Sequence, residues 1–385
     1  MISQHIEPNI RKKAAVVGVG RMGEAIVYAM NKLGFYVVGL DTNESSKDSF
    51  SKYIKSGTDG IFYTLRDDQG AESKDLDDAL IFEKPDIVIS SLPYHQTEKV
   101  AYWCIDNGIR YCDLGGKVDV SKRINEYAKD AKAPVMTDLG LAPGLVNILT
   151  EQGCREIHNT PDEIKMMVGG LPGIPDSPPF NYSTTWSIDG LINEYTDDCE
   201  VLVDGEIKKV PGMSGLEEVK INILRDSFET FYTSGGASHT IADMKERGVK
   251  NCSYKTLRWQ GHCDAVNFLL RKCNLSKDCL IQILKNGCAY EAGSPDFVII
   301  KVVIKAGDVS WDKEIIIPYD LTFSAMQKAT AFSVASIAAQ LAEGTLEGRM
   351  EQRRGYWLDF PKTLSYKHVN YDELKNSLKE LEIIL

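Results

Sequence analysis

Long apolar runs are missing from these 385 residues. No stretch of 18 or more apolar residues occurs, and the nearest, Ala329–Ala342, is too short to span a bilayer and is interrupted by Ser and Gln. It reads as a buried helix of small residues. Excess basic charge is also missing: 44 Lys and Arg face 55 Asp and Glu, for a net charge of −11. That balance excludes nucleic acid as the main partner, because a phosphate-binding surface needs an excess of cations. The nine Cys are odd in number and form no CxxC pair, and the first residues, Met-Ile-Ser-Gln-His, hold no apolar signal run. The expectation is reduced thiols in the cytoplasm. No HExxH motif and no Cys–His group at metal spacing occurs, so no metal is expected. The absence of GxSxG argues against an α/β-type hydrolase.

What is present is ordinary globular composition, 43% hydrophobic and 26% charged, in a chain long enough for two domains. Apolar runs at Ala14–Val17, Phe35–Leu40, Ile87–Leu92, Arg110–Leu114 and Pro134–Leu139 alternate with helical patterns. Such alternation predicts a doubly wound parallel sheet covered on both faces. After about residue 145 the texture changes. The proline-rich segment 169–181 reads as an ordered loop, Asp204-Gly205 marks a hairpin, and Phe297–Ile304 with Glu314–Ile317 flank a turn at 306–308. The predicted fold is therefore α/β: a Rossmann domain over 1–145 plus an α+β domain over 146–325 with a mainly antiparallel sheet. Helices over 326–385 are expected to complete the first domain, and the tail 371–385 reads as a charged surface helix.

The sharpest motif is Gly18-Val19-Gly20-Arg21-Met22-Gly23, placed between a strand and a helix. Gly18 suits the tight turn, Gly20 lets a pyrophosphate approach the backbone, and Gly23 lets helix and strand pack closely. The amides at the helix start, around Arg21 and Met22, supply donors to phosphate. The next strand ends at Asp41-Thr42-Asn43. A carboxylate at Asp41 accepts a ribose 2′-OH and repels a 2′-phosphate, which points to NAD, with NADP as the lesser alternative.

Six ordered segments carry a resemblance. They are Ser91-Leu92-Pro93-Tyr94, Tyr111–Gly116 (YCDLGG), Asp138–Asn147 (DLGLAPGLVN), Gly169–Pro172 (GGLP), Thr185-Trp186-Ser187 and Thr256–His262 (TLRWQGH). The chain resembles the saccharopine dehydrogenase family. The run Trp186–Tyr195 and the form Leu141-Ala142-Pro143-Gly144 look most like its lysine 6-dehydrogenase branch. Saccharopine-forming members look more like Leu-Asp-Pro-Gly there.

The resemblance implies an oxidoreductase acting on the CH–NH2 group of a free amino acid, with L-lysine deaminated at its ε-carbon, and Asp41 makes NAD its expected oxidant. Saccharopine or carboxynorspermidine chemistry is the alternative, and an inactive NAD-binding sensor is a third reading. The expected partners are a small amino-acid substrate and, because symmetric oligomers are common, a second copy in a homodimer; charge and the short apolar runs give no nucleic acid and no membrane as expectations. The resemblance places Ser91, Leu92, Pro93, Leu114 and Gly115 beside the cofactor. It places Gly144, Asn147, Trp186, Thr256 and Arg258 at the substrate, Arg258 gripping a carboxylate with its planar fork. Asp113 is a candidate holder of a substrate ammonium group, and with Lys117 a candidate catalytic group. Lys117 could act as base only if burial lowered its pKa. His95 and His262 are weaker candidates.

Overall fold

The computed structural model describes residues 11–66, 74–174, 180–291, 293–346, 352–353, 356–357 and 363–385. Six of the seven strands of the first sheet, with the helices between them, come from residues 13–136: β1 (Lys13–Val17), α1 (Arg21–Lys32), β2 (Tyr36–Asp41), α2 (Ser46–Ser51), β3 (Gly60–Thr64), α3 (Lys74–Glu83), β4 (Ile87–Ser90), α4 (Tyr94–Asn107), β5 (Arg110–Asp113), α5 (Val118–Tyr127) and β6 (Val135–Met136). The order is Thr363–Leu364, then β6-β5-β4-β1-β2-β3, with every pairing parallel. The strands run in opposite lateral directions from β1, outward through β2 on one side and through β4 on the other. Their C-terminal ends therefore part at β1 and β4, where an open α/β sheet binds its ligand. The apolar runs are buried on both faces, with Val16, Val38 and Ile89 all at 0% exposure.

The chain then passes through α6 (Leu145–Ile157) into β7 (Glu163–Pro172), α7 (Ile188–Thr196), β8 (Asp198–Val203), β9 (Glu206–Pro211), β10 (Glu217–Ile221), β11 (Asp226–Tyr232), α8 (Thr240–Glu246), β12 (Asn251–Arg258), β13 (Asp296–Ala306) and β14 (Val309–Pro318). The second sheet runs β10-β11-β12-β7-β13-β14, with the β8–β9 hairpin joined at β12. It is antiparallel except where β12 and β7 run together. Asp204 and Gly205 form the predicted hairpin tip, both with positive φ.

Residues 169–172 are not loop, as their glycines and proline suggested, but the end of the central strand β7. The glycines are there for close approach. A Cβ on Gly169 would lie 2.6 Å from the Leu257 carbonyl oxygen, and one on Gly170 would lie 2.3 Å from the Met326 methyl. Residues 175–179 of the proline-rich stretch lie outside the described residues.

The helical segment from Ala325 to Glu343 lies against α1. Small side chains allow that contact, and Ser333–Ala342 is buried at every position. Gln327 Nε2 donates to the Arg21 carbonyl at 2.8 Å and so ties this segment to the start of α1. The last helix, Tyr371–Glu380, has a charged outer face, yet Leu374 and Leu378 are both fully buried on its inner one. It is a docked core element, because its apolar stripe meets the Ser333–Glu343 helix. Among the described residues no helix is long and apolar enough to cross a membrane, and all nine Cys are unpaired.

Leu378→Ala should cost about 2–5 kcal/mol, the usual loss for emptying a buried leucine site. Urea unfolding would read it as a lowered midpoint at unchanged slope. A loss under about 0.5 kcal/mol, the size of an ordinary surface substitution, would mean the helix is dispensable to the core.

Candidate active site

A cleft of about 1300 Å³ lies between the two sheets. One wall is the C-terminal edge of the first sheet, with Gly20, Arg21, Met22, Ser91, Leu92 and Pro93 on it. The turn after β5 adds Leu114, Gly115 and Lys117, and the second domain contributes Trp186, Glu194, Thr256 and Arg258.

On the first wall the glycine loop has the shape a pyrophosphate needs. Gly18 has φ +88, and a Cβ on Gly23 would sit 1.9 Å from the Gly18 carbonyl oxygen, so neither position admits a side chain. A Cβ on Gly20 would meet nothing within 4 Å, which leaves open space directly over the start of α1. No side chain caps that helix, so its first amides and its positive end face the gap. Ser91 Oγ is buried beside the loop with no hydrogen-bond partner among the described residues, a polar atom that a ligand would satisfy. Asp41 sits under the loop: Oδ2 accepts from Val19 N at 2.6 Å and Oδ1 from Asn43 N at 2.8 Å. A carboxylate has about four acceptor positions, so about two stay available for ribose hydroxyls. These residues fit a nicotinamide dinucleotide, and a carboxylate at Asp41 suits a free ribose 2′-OH better than a 2′-phosphate. Thr42 is exposed just beyond it.

The second wall is built around a buried cation. Arg258, 3% exposed at the end of β12, donates from Nε to Tyr195 Oη at 3.1 Å and from Nη1 to Thr256 Oγ1 at 3.1 Å and the Leu257 carbonyl at 2.8 Å. Its guanidinium lies 4.7 Å from the Tyr182 ring centroid. Tyr195 Oη is also 2.9 Å from His262 Nε2, and His262 Nδ1 is 2.9 Å from the Phe180 carbonyl. A carbonyl only accepts, so Nδ1 carries the proton and Nε2 accepts from Tyr195. Burial, together with the Arg258 charge, pushes His262 down to about 3 and keeps it neutral. Arg258 is thus held rigidly by neutral groups. Among the described residues no carboxylate lies within ion-pair distance of it, and its Nη2 has no protein partner. Thr256 Oγ1 donates to the Val168 carbonyl, and Trp186 Nε1 donates to Tyr182 Oη at 3.1 Å, which fixes the Trp186 ring at the cleft wall.

Several sequence assignments change. Asp113 does not face the cleft. Its Oδ1 accepts from Gly115 N and Asp138 N, and its Oδ2 from Tyr111 Oη at 3.1 Å, all in a site 2% exposed. Burial, with the Asp138 charge added, pushes it up to about 7. It shapes the turn rather than holding an ammonium group. Lys117 is exposed at the start of α5, its ammonium 5.6 Å from the Tyr94 ring centroid, so the burial that would make it a base is missing. Gly144 and Asn147 are buried and bonded to one another, Gly144 N donating to Asn147 Oδ1 at 2.6 Å. Asn147 Nδ2 donates to Ala237 O and Thr240 Oγ1, a tie between α6 and α8 rather than a substrate contact. His95 is exposed on the cleft lining, and His262 acts through Tyr195.

Two cleft residues escaped the sequence reading. Asp138 has φ +65 and accepts from Ser121 Oγ and Ser238 Oγ, each at 2.6 Å. Glu194, on α7, lines the cleft with no hydrogen-bond partner for its carboxyl group among the described residues. The signal for Glu194 was an acidic residue inside the core-facing run Leu191-Ile192-Asn193-Glu194-Tyr195. Among the described residues no group of three or more His, Cys, Asp or Glu is gathered to hold a metal.

Comparison with known proteins agrees with this layout. Residues 14–137 match the saccharopine dehydrogenase NADP binding domain and residues 140–359 the saccharopine dehydrogenase C-terminal domain. The mitochondrial alpha-aminoadipic semialdehyde synthase of Rattus norvegicus is 24% identical over 273 residues, which cover 69% of this chain and 28% of the relative. The saccharopine dehydrogenase [NADP(+), L-glutamate-forming] of Pyricularia oryzae is 28% identical over 195 residues, 49% of this chain and 43% of the relative. The chain thus spans less than half the length of each of these two relatives. The apo saccharopine dehydrogenase (L-Glu forming) of Saccharomyces cerevisiae shares the fold at a TM-score of 0.73 and 16% identity, covering 96% of this chain and 97% of that one. The cytoplasmic expectation is overturned by these relatives, because the rat, mouse and cow proteins are mitochondrial by name. Cysteine usage could not decide it.

Gly20→Val would fill the open space over α1 without touching protein. NADH fluorescence titration should show binding reduced at least tenfold while the thermal midpoint stays within about 2 °C, as expected of a change near zero in stability. Unchanged binding would make the loop a plain turn. Asp41→Ala should weaken NADH more than NADPH, and an equal loss for both would remove Asp41 from the choice of dinucleotide.

Proposed function

This chain belongs to the saccharopine dehydrogenase family, and from that premise we propose that it uses NAD to oxidise the C–N bond of an amino-acid-derived amine. A saccharopine-type secondary amine is preferred over free lysine. The observation that carries the reading is Arg258. A buried cation held only by neutral groups is costly, and a substrate carboxylate would offset that cost with a two-pronged contact. Three further points support the larger substrate. The fungal relatives are named for saccharopine. The cleft is roomy, and the exposed Lys117 and Lys122 on its lining offer anchors for additional carboxylates. The fungal relatives are named for NADP(+), and Asp41 is the residue that argues for NAD here.

When bound, the dinucleotide supplies a hydride acceptor. The chain's residues do the positioning. Arg258, braced by Tyr195 and Tyr182, fixes the carboxylate end of the substrate, and Trp186 walls its side. The amine must be uncharged before its carbon can lose hydride, because the nitrogen lone pair forms the new C=N bond. Water then splits that bond, giving an aldehyde and an amine. For saccharopine oxidised on its lysine side, the products are the semialdehyde and L-glutamate.

The direct assay follows NAD reduction with saccharopine and with L-lysine. Turnover of saccharopine alone is the expected result. Turnover of lysine alone would restore the deaminase reading, and turnover of neither would leave an NAD-binding sensor. In Arg258→Lys the charge stays but the planar fork is lost. A charged hydrogen bond contributes about 1.5–3 kcal/mol, so kcat/KM should fall roughly 10- to 150-fold, with NADH affinity unchanged. An equal loss of NADH binding would make the arginine structural.

A further inference from the structure

Glu194 is an acid–base group in the cleft to which the residues above assign no task. It projects from α7 beside Tyr195, the residue that braces Arg258, and its backbone carbonyl is pinned by Ser234 N at 3.0 Å. Among the described residues its carboxyl group has no hydrogen-bond partner although it is only partly exposed, so it can meet a ligand in the cleft. We propose that Glu194 accepts the proton of the substrate amine, the nitrogen next to the carboxylate that Arg258 holds. This rests on the amine-oxidation reading and deepens it by naming the base.

The two groups are close enough for the Arg258 charge to act on Glu194. Burial pushes Glu194 up to about 8, and Arg258 opposes part of that rise. The other titratable groups around it are Tyr182, Tyr195, Tyr254 and Cys199, whose ionisations Glu194 in turn makes harder. All four are neutral near pH 7, so Arg258 is the one formal charge among these neighbours. A base raised to this value is nearer in strength to an alkylammonium group, at about 10.4, than an ordinary carboxylate at about 4.3, which lowers the cost of the transfer.

The proton balance is simple. The substrate N–H bond breaks and an O–H bond forms on Glu194. The freed lone pair then makes C=N as hydride leaves the neighbouring carbon for the oxidised dinucleotide. The location also discriminates between substrates. In saccharopine the reacting nitrogen is bonded to a carbon that carries a carboxylate. In lysine the ε-nitrogen lies four carbons beyond the carbon bearing the carboxylate, out of step with a base set beside the arginine.

Two measurements test this. With saccharopine and NAD, kcat/KM of the parent should rise with pH through about 8. Glu194→Gln should lose that limb and fall roughly 10²- to 10⁴-fold, the usual contribution of a positioned base, while Glu194→Asp keeps the limb at reduced rate. A Gln variant that retains the limb overturns the assignment. The second measurement needs no turnover. Calorimetry of L-glutamate binding at pH 7, in buffers of different ionisation enthalpy, should show the parent releasing a fraction of a proton approaching one, as its ammonium ionises Glu194. Glutarate, which lacks the nitrogen, should release none, and Glu194→Gln should release none with either ligand. Equal release by parent and Gln variant, no release by the parent, or no L-glutamate binding to it overturns the inference. A parent that shows the release but oxidises no amine overturns the proposed function instead.

Discussion

A guanidinium cation kept almost out of water, with only neutral groups to hold it, is the constraint around which the cleft is organised. Arg258 is bonded to Tyr195, Thr256 and a backbone carbonyl and lies against the Tyr182 ring. Each of those partners is itself fixed: Tyr195 by His262, Thr256 by Val168, Tyr182 by Trp186. The result is a stiff positive site whose remaining donors face the cleft. An ion pair within the protein would have neutralised it, and a flexible surface arginine would have lost side-chain freedom on binding. Rigid and unneutralised, it is pre-organised for an anion.

That site works only if the nucleotide lies opposite it, and the chain's path sees to this. The first sheet opens its C-terminal edge at β1 and β4, while α6 carries the chain into the second sheet, whose strands β7 and β12 run side by side toward the same cleft. Ala325–Glu343 then returns to α1, and Gln327 bonds to the first residue of that helix. Gly170 lets Met326 come close to the second sheet, so one segment touches both domains near the cleft. The nucleotide loop packs through Val19 on one core, the tyrosines that brace Arg258 belong to a second, and Trp186 packs against both.

The parallel sheet and the glycine loop were legible because their signals are local: apolar runs, a GxGxxG motif, and an acid at the end of β2. Arg258, Thr256 and Trp186 were legible only through resemblance to other proteins, and they do meet in one cleft. Asp113, Lys117 and Asn147 were misread for a common reason. A short motif tells that a polar residue stands at a strand end or helix start, but not whether its side chain turns inward. Asp113 turned inward to hold a turn, Asn147 to join two helices, and Lys117 outward to solvent. The strand at 163–172 was obscured by glycines that serve close packing rather than a turn. Glu194 was missed because its role depends on which edge of α7 faces the second wall, and that is set by the packing of Leu191, Ile192 and Tyr195.

The most direct measurement of the central claim is a crystal structure of the protein with NADH and saccharopine. The account predicts a substrate carboxylate within hydrogen-bond distance of the Arg258 guanidinium, Nη2 included, with the substrate nitrogen between Glu194 and the nicotinamide ring. A substrate anchored at Lys117 and Lys122 alone, with Arg258 still bonded only to Tyr195, Thr256 and the Leu257 carbonyl, would contradict it.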